Sequence, residues 1–190
     1  MNGKPVAAGK SSFDLIDAEK ALAVMAVRPG INFLDLACGI GRYSIEVAQR
    51  IGGEGTVYAV DLWCEGIEIL EREIGNRGIK NIRAICADIR EPLPLNENSI
   101  DASLAATILH DLSKKEQKAT VQEIARLIKP GGMLFVIEFK KLDKGPGPPI
   151  HIRMDEKEIE GLVTPFGFKK IAASGIGEFN YLVKFQKALL

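Results

Sequence analysis

Apolar positions along this chain fall into short unbroken runs separated by longer stretches with helical spacing, and the two alternate. Phe33, Leu34 and Leu36 lie in the first run, which breaks into the small-residue turn Ala37-Cys38-Gly39-Ile40-Gly41. Ile45, Ala48 and Ile51 then share one face of a helix that stops at Gly52-Gly53. Thr56 to Val60 reads as a second buried strand and ends in Asp61, and Ile67, Leu70 and Ile74 mark the next helix. Ile82 to Ala87 is a third strand ending in Asp88, and Ile100 to Ile108 is a fourth apolar run. Repeated strand, helix, strand units imply parallel pairs joined by right-handed crossovers.

The flanks of this pattern differ from its centre. Leu15, Ala18, Leu22, Met25 and Ala26 predict a helix from Phe13 that Arg28-Pro29-Gly30 ends, while residues 1–12 show no periodicity and read as a mobile tail. Ser113 and Glu116 form a capping box before Val121, Ile124, Ala125 and Ile128, a helix that Lys129-Pro130-Gly131-Gly132 terminates ahead of a fifth strand, Met133 to Phe139. A basic Pro- and Gly-rich loop covers 140–154. Asp155 and Glu158 then open a helix bearing Ile159, Leu162, Val163 and Phe166. Two closing strands, Phe168 to Ala173 and Phe179 to Gln186, have no helix between them and so form a hairpin. Alternation in the last one suggests an antiparallel or edge position.

Composition narrows the picture. With 190 residues, 46% of them hydrophobic, one domain over 13–190 can hold a full core. Lys plus Arg and Asp plus Glu number 25 each, so no global field favours nucleic acid or an anionic membrane. No run of about 18 apolar residues exists and the N-terminus lacks a signal-peptide core, which predicts a cytoplasmic protein without membrane insertion. Three separated cysteines, Cys38, Cys64 and Cys86, predict reduced thiols rather than a disulfide. Two histidines, His110 and His151, offer no zinc spacing, and no metal is expected.

The candidate chemistry collects at the ends of the predicted strands. Gly39 and Gly41 let backbone approach a ligand, and the helix start that follows offers free N–H groups. Asp35 just before the turn would repel a pyrophosphate and attract an ammonium group. Asp61 and Asp88 end the next two strands, and open α/β sheets take ligands at such strand ends.

From Phe13 onward these residues resemble a class I S-adenosylmethionine-dependent methyltransferase. Asp35-Leu-Ala-Cys-Gly-Ile-Gly41 matches that family's glycine loop, except that Ala37 stands where the first glycine is commonest. Asp61, Asp88 in Ala87-Asp88-Ile89, and Lys129-Pro130-Gly131-Gly132 match further motifs. The resemblance implies an α/β, Rossmann-like doubly wound sheet of seven strands, mostly parallel with an antiparallel C-terminal strand, in the order 3-2-1-4-5-7-6. It implies S-adenosyl-L-methionine as cofactor and a small-molecule methyl acceptor.

Within that resemblance, Gly39 and Gly41 approach the amino acid portion, and Asp35 orients the same region or only braces the loop. Asp61 takes both ribose hydroxyls, Leu62 and Ile89 sandwich the adenine, and Asp88 accepts from its amine. Ala37 and Ala105 complete the implied cofactor contacts. His110, just past the fourth strand, is the candidate base or substrate contact, or else caps the next helix. Ser11 to Phe13 form a lid in one reading. Lys140, Lys141, Lys144 and Arg153 attract an anionic acceptor or form a solvated loop. Ala105-Ala-Thr-Ile108 lacks the Asn/Asp-Pro-Pro-aromatic motif, which disfavours exocyclic amines as acceptors. The pattern is similar to the ubiquinone and menaquinone methyltransferases, although this chain is shorter.

Other classes remain open on the residues. A nicotinamide-dinucleotide oxidoreductase would share the strand–helix–strand unit and Asp61, but Ser44 replaces the third glycine and Asp35 precedes the loop. A non-catalytic S-adenosylmethionine-binding protein would fit the sparse acid–base inventory. Arsenic methylation would require converging thiols, and Cys38 and Cys86 fall in or near the cofactor strands.

Overall fold

The structure, a computed structural model, describes residues 11–189. Strands β1 (Asn32–Leu36), β2 (Thr56–Asp61), β3 (Ile82–Cys86), β4 (Ile100–Ala106), β5 (Ile128–Phe139), β6 (Phe168–Gly175) and β7 (Asn180–Lys187) form one sheet. Its order is β3-β2-β1-β4-β5-β7-β6. The first five strands pair in parallel, and β7 runs antiparallel between β5 and β6. The fold implied by the family resemblance is the one observed.

Two apolar layers cover the sheet. Helices α1 (Ala18–Met25), α2 (Arg42–Ile51) and α3 (Cys64–Arg77) bury Leu22, Val47, Ile51 and Leu70 against Phe33 and Val57. Helices α4 (Lys114–Leu127) and α5 (Glu156–Val163) bury Val121, Ile124 and Ile159 against Leu34, Leu36 and Val136. The strand order reverses at β1, which has β2 on one side and β4 on the other. Loops leaving β1 and β4 therefore diverge and open a crevice beyond the C-terminal strand ends. Among the described residues no helix is long and apolar enough to cross a membrane.

Several local expectations needed revision. The N-terminal helix is not continuous from Phe13. A 3-10 turn, Ser12–Leu15, is followed by extended Ile16, and α1 starts only after Asp17, whose side chain accepts from Lys20 N–H. Asp17 N–H also donates to Ile176 O at 2.7 Å, so the break docks this segment onto the β6–β7 connection. Ala26 adopts left-handed backbone at the helix end and is exposed, so it leaves the buried face. Residues 1–10, the bulk of the expected tail, lie outside the described residues.

Lys129-Pro130-Gly131-Gly132 is not a turn ahead of β5 but a bulge within it. Pairing with β4 jumps from Ile100↔Ile128 to Ala102↔Met133, and Gly131 takes φ +78° at the bulge. The closing strand β7 is interior rather than at an edge, and so buries Asn180 and Leu182 as well as Tyr181 and Val183. Alternation identified its antiparallel direction, and β6 is the edge strand.

The cysteine expectation is overturned: Cys64 and Cys86 form a disulfide, and Cys38 is the buried free thiol. Parity and spacing could not reveal this. Asp61 pairs opposite Cys86 across β2 and β3, and α3 begins at Cys64, which brings the two Cα atoms to 5.2 Å.

Candidate functional site

The turn after β1 is built from backbone that L-residues avoid. Ala37, Gly39 and Gly41 all have positive φ, at 58°, 58° and 76°. A side chain at Gly41 would run into Leu70 of α3, so glycine is required there by space as well as by conformation. Ala37 holds the left-handed conformation without being glycine, at a cost of about 1–2 kcal/mol.

Asp61 organises this loop. Its Oδ2 accepts from Gly39 N–H at 2.7 Å and its Oδ1 from Trp63 N–H at 2.7 Å. A carboxylate offers about four lone-pair sites, so two remain for a vicinal diol after both amides are satisfied. Leu62 is 45% exposed beside it, an open apolar face for a flat ring to cover.

Asp35 is closed off from water at 1% exposure, and its Oδ2 accepts from Ser44 Oγ at 2.5 Å. Burial pushes its pKa up to about 7, the Ser44 hydrogen bond works against this, and the charge of Asp61 adds to it. The geometry is that of a brace between β1 and α2.

Asp88 is chelated by Arg90, whose N–H and Nε donate to Oδ1 and whose Nη2 donates to Oδ2 at 2.6 Å. Arg90 Nη1 continues to Glu116 Oε1 at 2.9 Å. The Arg90 hydrogen bond holds the Asp88 carboxyl below its ordinary range, keeping it an ionised acceptor. Ile89 belongs to the second apolar layer beside Val60 and Leu93, and Ala105 is wholly enclosed within β4.

His110 lies in a 3-10 turn, Leu109–Asp111, just past β4. Its Nδ1 is 2.6 Å from Glu138 Oε2, and its backbone N–H donates to Glu138 Oε1. Glu138 is 0% exposed in β5. Gln117 of α4 donates to Leu109 O and Leu112 O, clamping the turn on both sides of the imidazole. Burial disfavours charge on His110, the Glu138 carboxylate outweighs it, and the net pKa is raised. An ionised carboxylate can only accept, so Nδ1 carries the hydrogen and Nε2 is the basic nitrogen.

Sequence reading missed Glu138. It interrupts the apolar run Met133 to Phe139, and a carboxylate in such a run needs a buried partner. That was the available signal.

The N-terminal segment crosses the mouth of the crevice. Ser12, 4% exposed, shares a hydrogen bond with Tyr43 Oη at 3.0 Å and accepts from Thr107 Oγ1 at 3.3 Å. Phe13 meets the Tyr43 ring edge-on, and Arg42 forks onto Asp14. Thr107 itself has φ +52°, unusual for a β-branched residue, and its N–H donates to Ile137 O.

The basic loop is occupied with its own structure. Arg153 donates to the carbonyls of Pro146, Pro148, Lys140 and Leu142, and Lys140 donates to those of Gly177 and Glu178. Lys141 pairs with Asp155 and Glu158, and Lys144 with Glu178. The expected attraction for an anionic acceptor has no uncommitted cation among these four.

Residues 33–132, just over half of the chain, match the family model described as a methyltransferase domain. The chain belongs to the class I S-adenosylmethionine-dependent methyltransferase family. It is 32% identical over 116 residues to the ubiquinone/menaquinone biosynthesis C-methyltransferase of Idiomarina loihiensis, covering 60% of this chain and 45% of that protein. To the enzyme of the same name from Chromobacterium violaceum it is 33% identical over 127 residues, covering 67% and 50%. The chain thus spans about half the length of the curated relatives it matches. A solved S-adenosylmethionine-dependent methyltransferase from Aquifex aeolicus superposes with TM-score 0.84 at 26% identity, covering 93% of both chains.

The residues present fit the cofactor of this family. The loop at Gly41 has no room for a side chain, Asp61 retains acceptor capacity for a ribose, and Leu62 is uncovered for an adenine.

Proposed function

We propose that this methyltransferase acts on a small organic acceptor whose accepting atom carries a proton, with His110 as the base. The observation that carries the reading is the 2.6 Å contact between His110 Nδ1 and fully buried Glu138. When bound, S-adenosylmethionine supplies a methyl group already activated on a sulfonium. The protein then has to align the acceptor and take its proton.

Alignment is the larger contribution, worth about 7–11 kcal/mol, and a positioned base adds about 10²–10⁴-fold. The crevice between the Gly39–Gly41 loop, the Ser12 crossing and the His110 turn supplies walls for that alignment. As the acceptor atom gains the methyl group, its proton passes to His110 Nε2, and Glu138 stabilises the imidazolium formed. Gln117 keeps the turn from swinging away.

The single domain over 13–190 and its work on a metabolite in the cytoplasm belong to the same reading. The 25-to-25 charge balance gives no field for nucleic acid or an anionic membrane. The test offers isotope-labelled S-adenosylmethionine with a panel of phenols, quinols, amines and carbon acids, and reads the methylated product by mass spectrometry. We expect transfer to one class, lost by about 10²-fold or more in His110→Ala. Tight calorimetric binding of a nicotinamide dinucleotide, with no heat from S-adenosylmethionine or its demethylated product, would overturn the reading.

A further inference from the structure

The Cys64–Cys86 disulfide stands where no structural need of the core explains it. Both cysteines are exposed. Cys64 is the first residue of α3 and Cys86 the last of β3. Strand β3 is the sheet edge, held by β2 alone. The bridge therefore fastens the last paired residue of an edge strand to the helix that follows the neighbouring strand.

The fastened ends are the ones to which the family resemblance assigns the adenosine contacts. Asp61-Leu62 runs directly into Cys64, and Asp88-Ile89 follows directly after Cys86. The two sulfurs lie 3.9 and 3.8 Å from the carbonyl oxygen of Leu62, the exposed apolar residue next to Asp61. Past the end of the strand ladder, Ala87 N–H donates to Asp61 O at 2.9 Å. The disulfide adds a covalent tie beside the last rung of that ladder, where Asp61 stands opposite Cys86.

We infer that Cys64–Cys86 is a thiol–disulfide exchange site, and that its reduction by a dithiol loosens the adenosine half of the cofactor pocket. The inference rests on the cofactor reading above. One thiolate of the dithiol attacks Cys86 Sγ, and the bond to Cys64 breaks. Cys64 is the better leaving group because its thiolate forms at the N-terminus of the fourteen-residue helix α3. The second thiol of the reductant then displaces Cys86 from the mixed disulfide. Two protein thiols and one oxidised dithiol result, with two electrons and two protons passing from reductant to protein.

Release matters because a pocket held in its bound geometry avoids the ordering cost that a loose one pays on binding. Cysteine pairs that cycle in a reducing compartment are characteristically of this exposed, reversible kind. Trp63, the single tryptophan of the chain, lies between Leu62 and Cys64 with its ring against Gly66, and gives the site its own optical reporter.

The experiment titrates the whole protein with S-adenosylhomocysteine by calorimetry, before and after incubation with dithiothreitol, while thiols are counted by alkylation and mass spectrometry. We expect alkylation at Cys64 and Cys86 only after reduction, a change in Trp63 emission in step with it, and affinity weaker by roughly five- to tenfold. The Cys64→Ser/Cys86→Ser double variant should bind at the reduced level and ignore dithiothreitol. Equal affinity of oxidised and reduced protein, or free thiols at both positions in the untreated protein, would overturn the inference while leaving the cofactor reading intact. No binding in either form would overturn the cofactor reading, and this inference with it.

Discussion

Glu138 Oε2 lies 2.6 Å from His110 Nδ1 and ties the buried fifth strand to the turn that follows the fourth. On its other side the imidazole faces Asp111, whose Oδ1 lies 3.4 Å from Nε2. His110→Ala removes the base, and Glu138→Gln should reveal how the base is tuned. Without that carboxylate, burial and the Arg153 charge lower the imidazole pKa, opposed only by the charge of Asp111. The acidic limb of the kcat/KM profile should therefore move to lower pH in Glu138→Gln while kcat falls. An unshifted limb would mean that another group titrates.

The same pair has a consequence for stability. A histidine whose folded pKa is raised adds stability that is fully present below its unfolded value, about 6.5, and is lost as pH climbs through the raised value. Wild type should lose melting temperature relative to Glu138→Gln, which lacks this contribution, as pH climbs from about 6.5 through the raised value. Scanning calorimetry of the two proteins across that range tests the slope.

Asp35 behaves with the same sign for a different reason. Its carboxyl has a folded pKa of about 7 against an ordinary value of 3.8, so the folded state holds the proton more tightly. That stability is complete at pH 4 and fades as pH rises to about 7, on the order of a few kcal/mol in all. Asp35→Asn keeps an acceptor for Ser44 and cannot ionise. Its melting temperature should match wild type below about pH 4 and exceed it at pH 8, as read by circular dichroism.

Asp61 is expected to be needed twice. Asp61→Ala should weaken S-adenosylhomocysteine binding by more than about tenfold through loss of a charge-assisted contact. It should also destabilise the apo protein by about 1–3 kcal/mol, because Gly39 and Trp63 N–H lose their acceptor. Calorimetric titration and urea unfolding separate the two effects.

Ala37→Gly tests the strain in the loop. The left-handed backbone at φ 58° costs alanine about 1–2 kcal/mol, and the greater freedom of unfolded glycine returns about half of that. A net gain of about 0.5–1 kcal/mol in urea unfolding is expected. A loss would mean that the Ala37 methyl group contributes packing that outweighs the strain.

What sequence alone established was everything carried by local succession. Each strand, its turn and the following helix lie within about thirty residues, so hydrophobic period, Gly39, Gly41 and the acids Asp35, Asp61 and Asp88 are visible as one repeating unit. The family resemblance added the strand order, and the capping box at Ser113 and the acids Asp155 and Glu158 marked the starts of their helices.

What only tertiary structure decided are the pairings between distant units. Glu138 reaches His110 across 28 positions, Ser12 reaches Thr107 across 95, and Cys64 reaches Cys86 across 22. The commitment of Arg153 to four loop carbonyls is another such case, since its charge pointed to solvent or substrate. A period in sequence reports which face a residue occupies, whereas its partner is set by which strands the crossovers place side by side. That placement puts a carboxylate against an imidazole and a disulfide between the start of α3 and the end of β3.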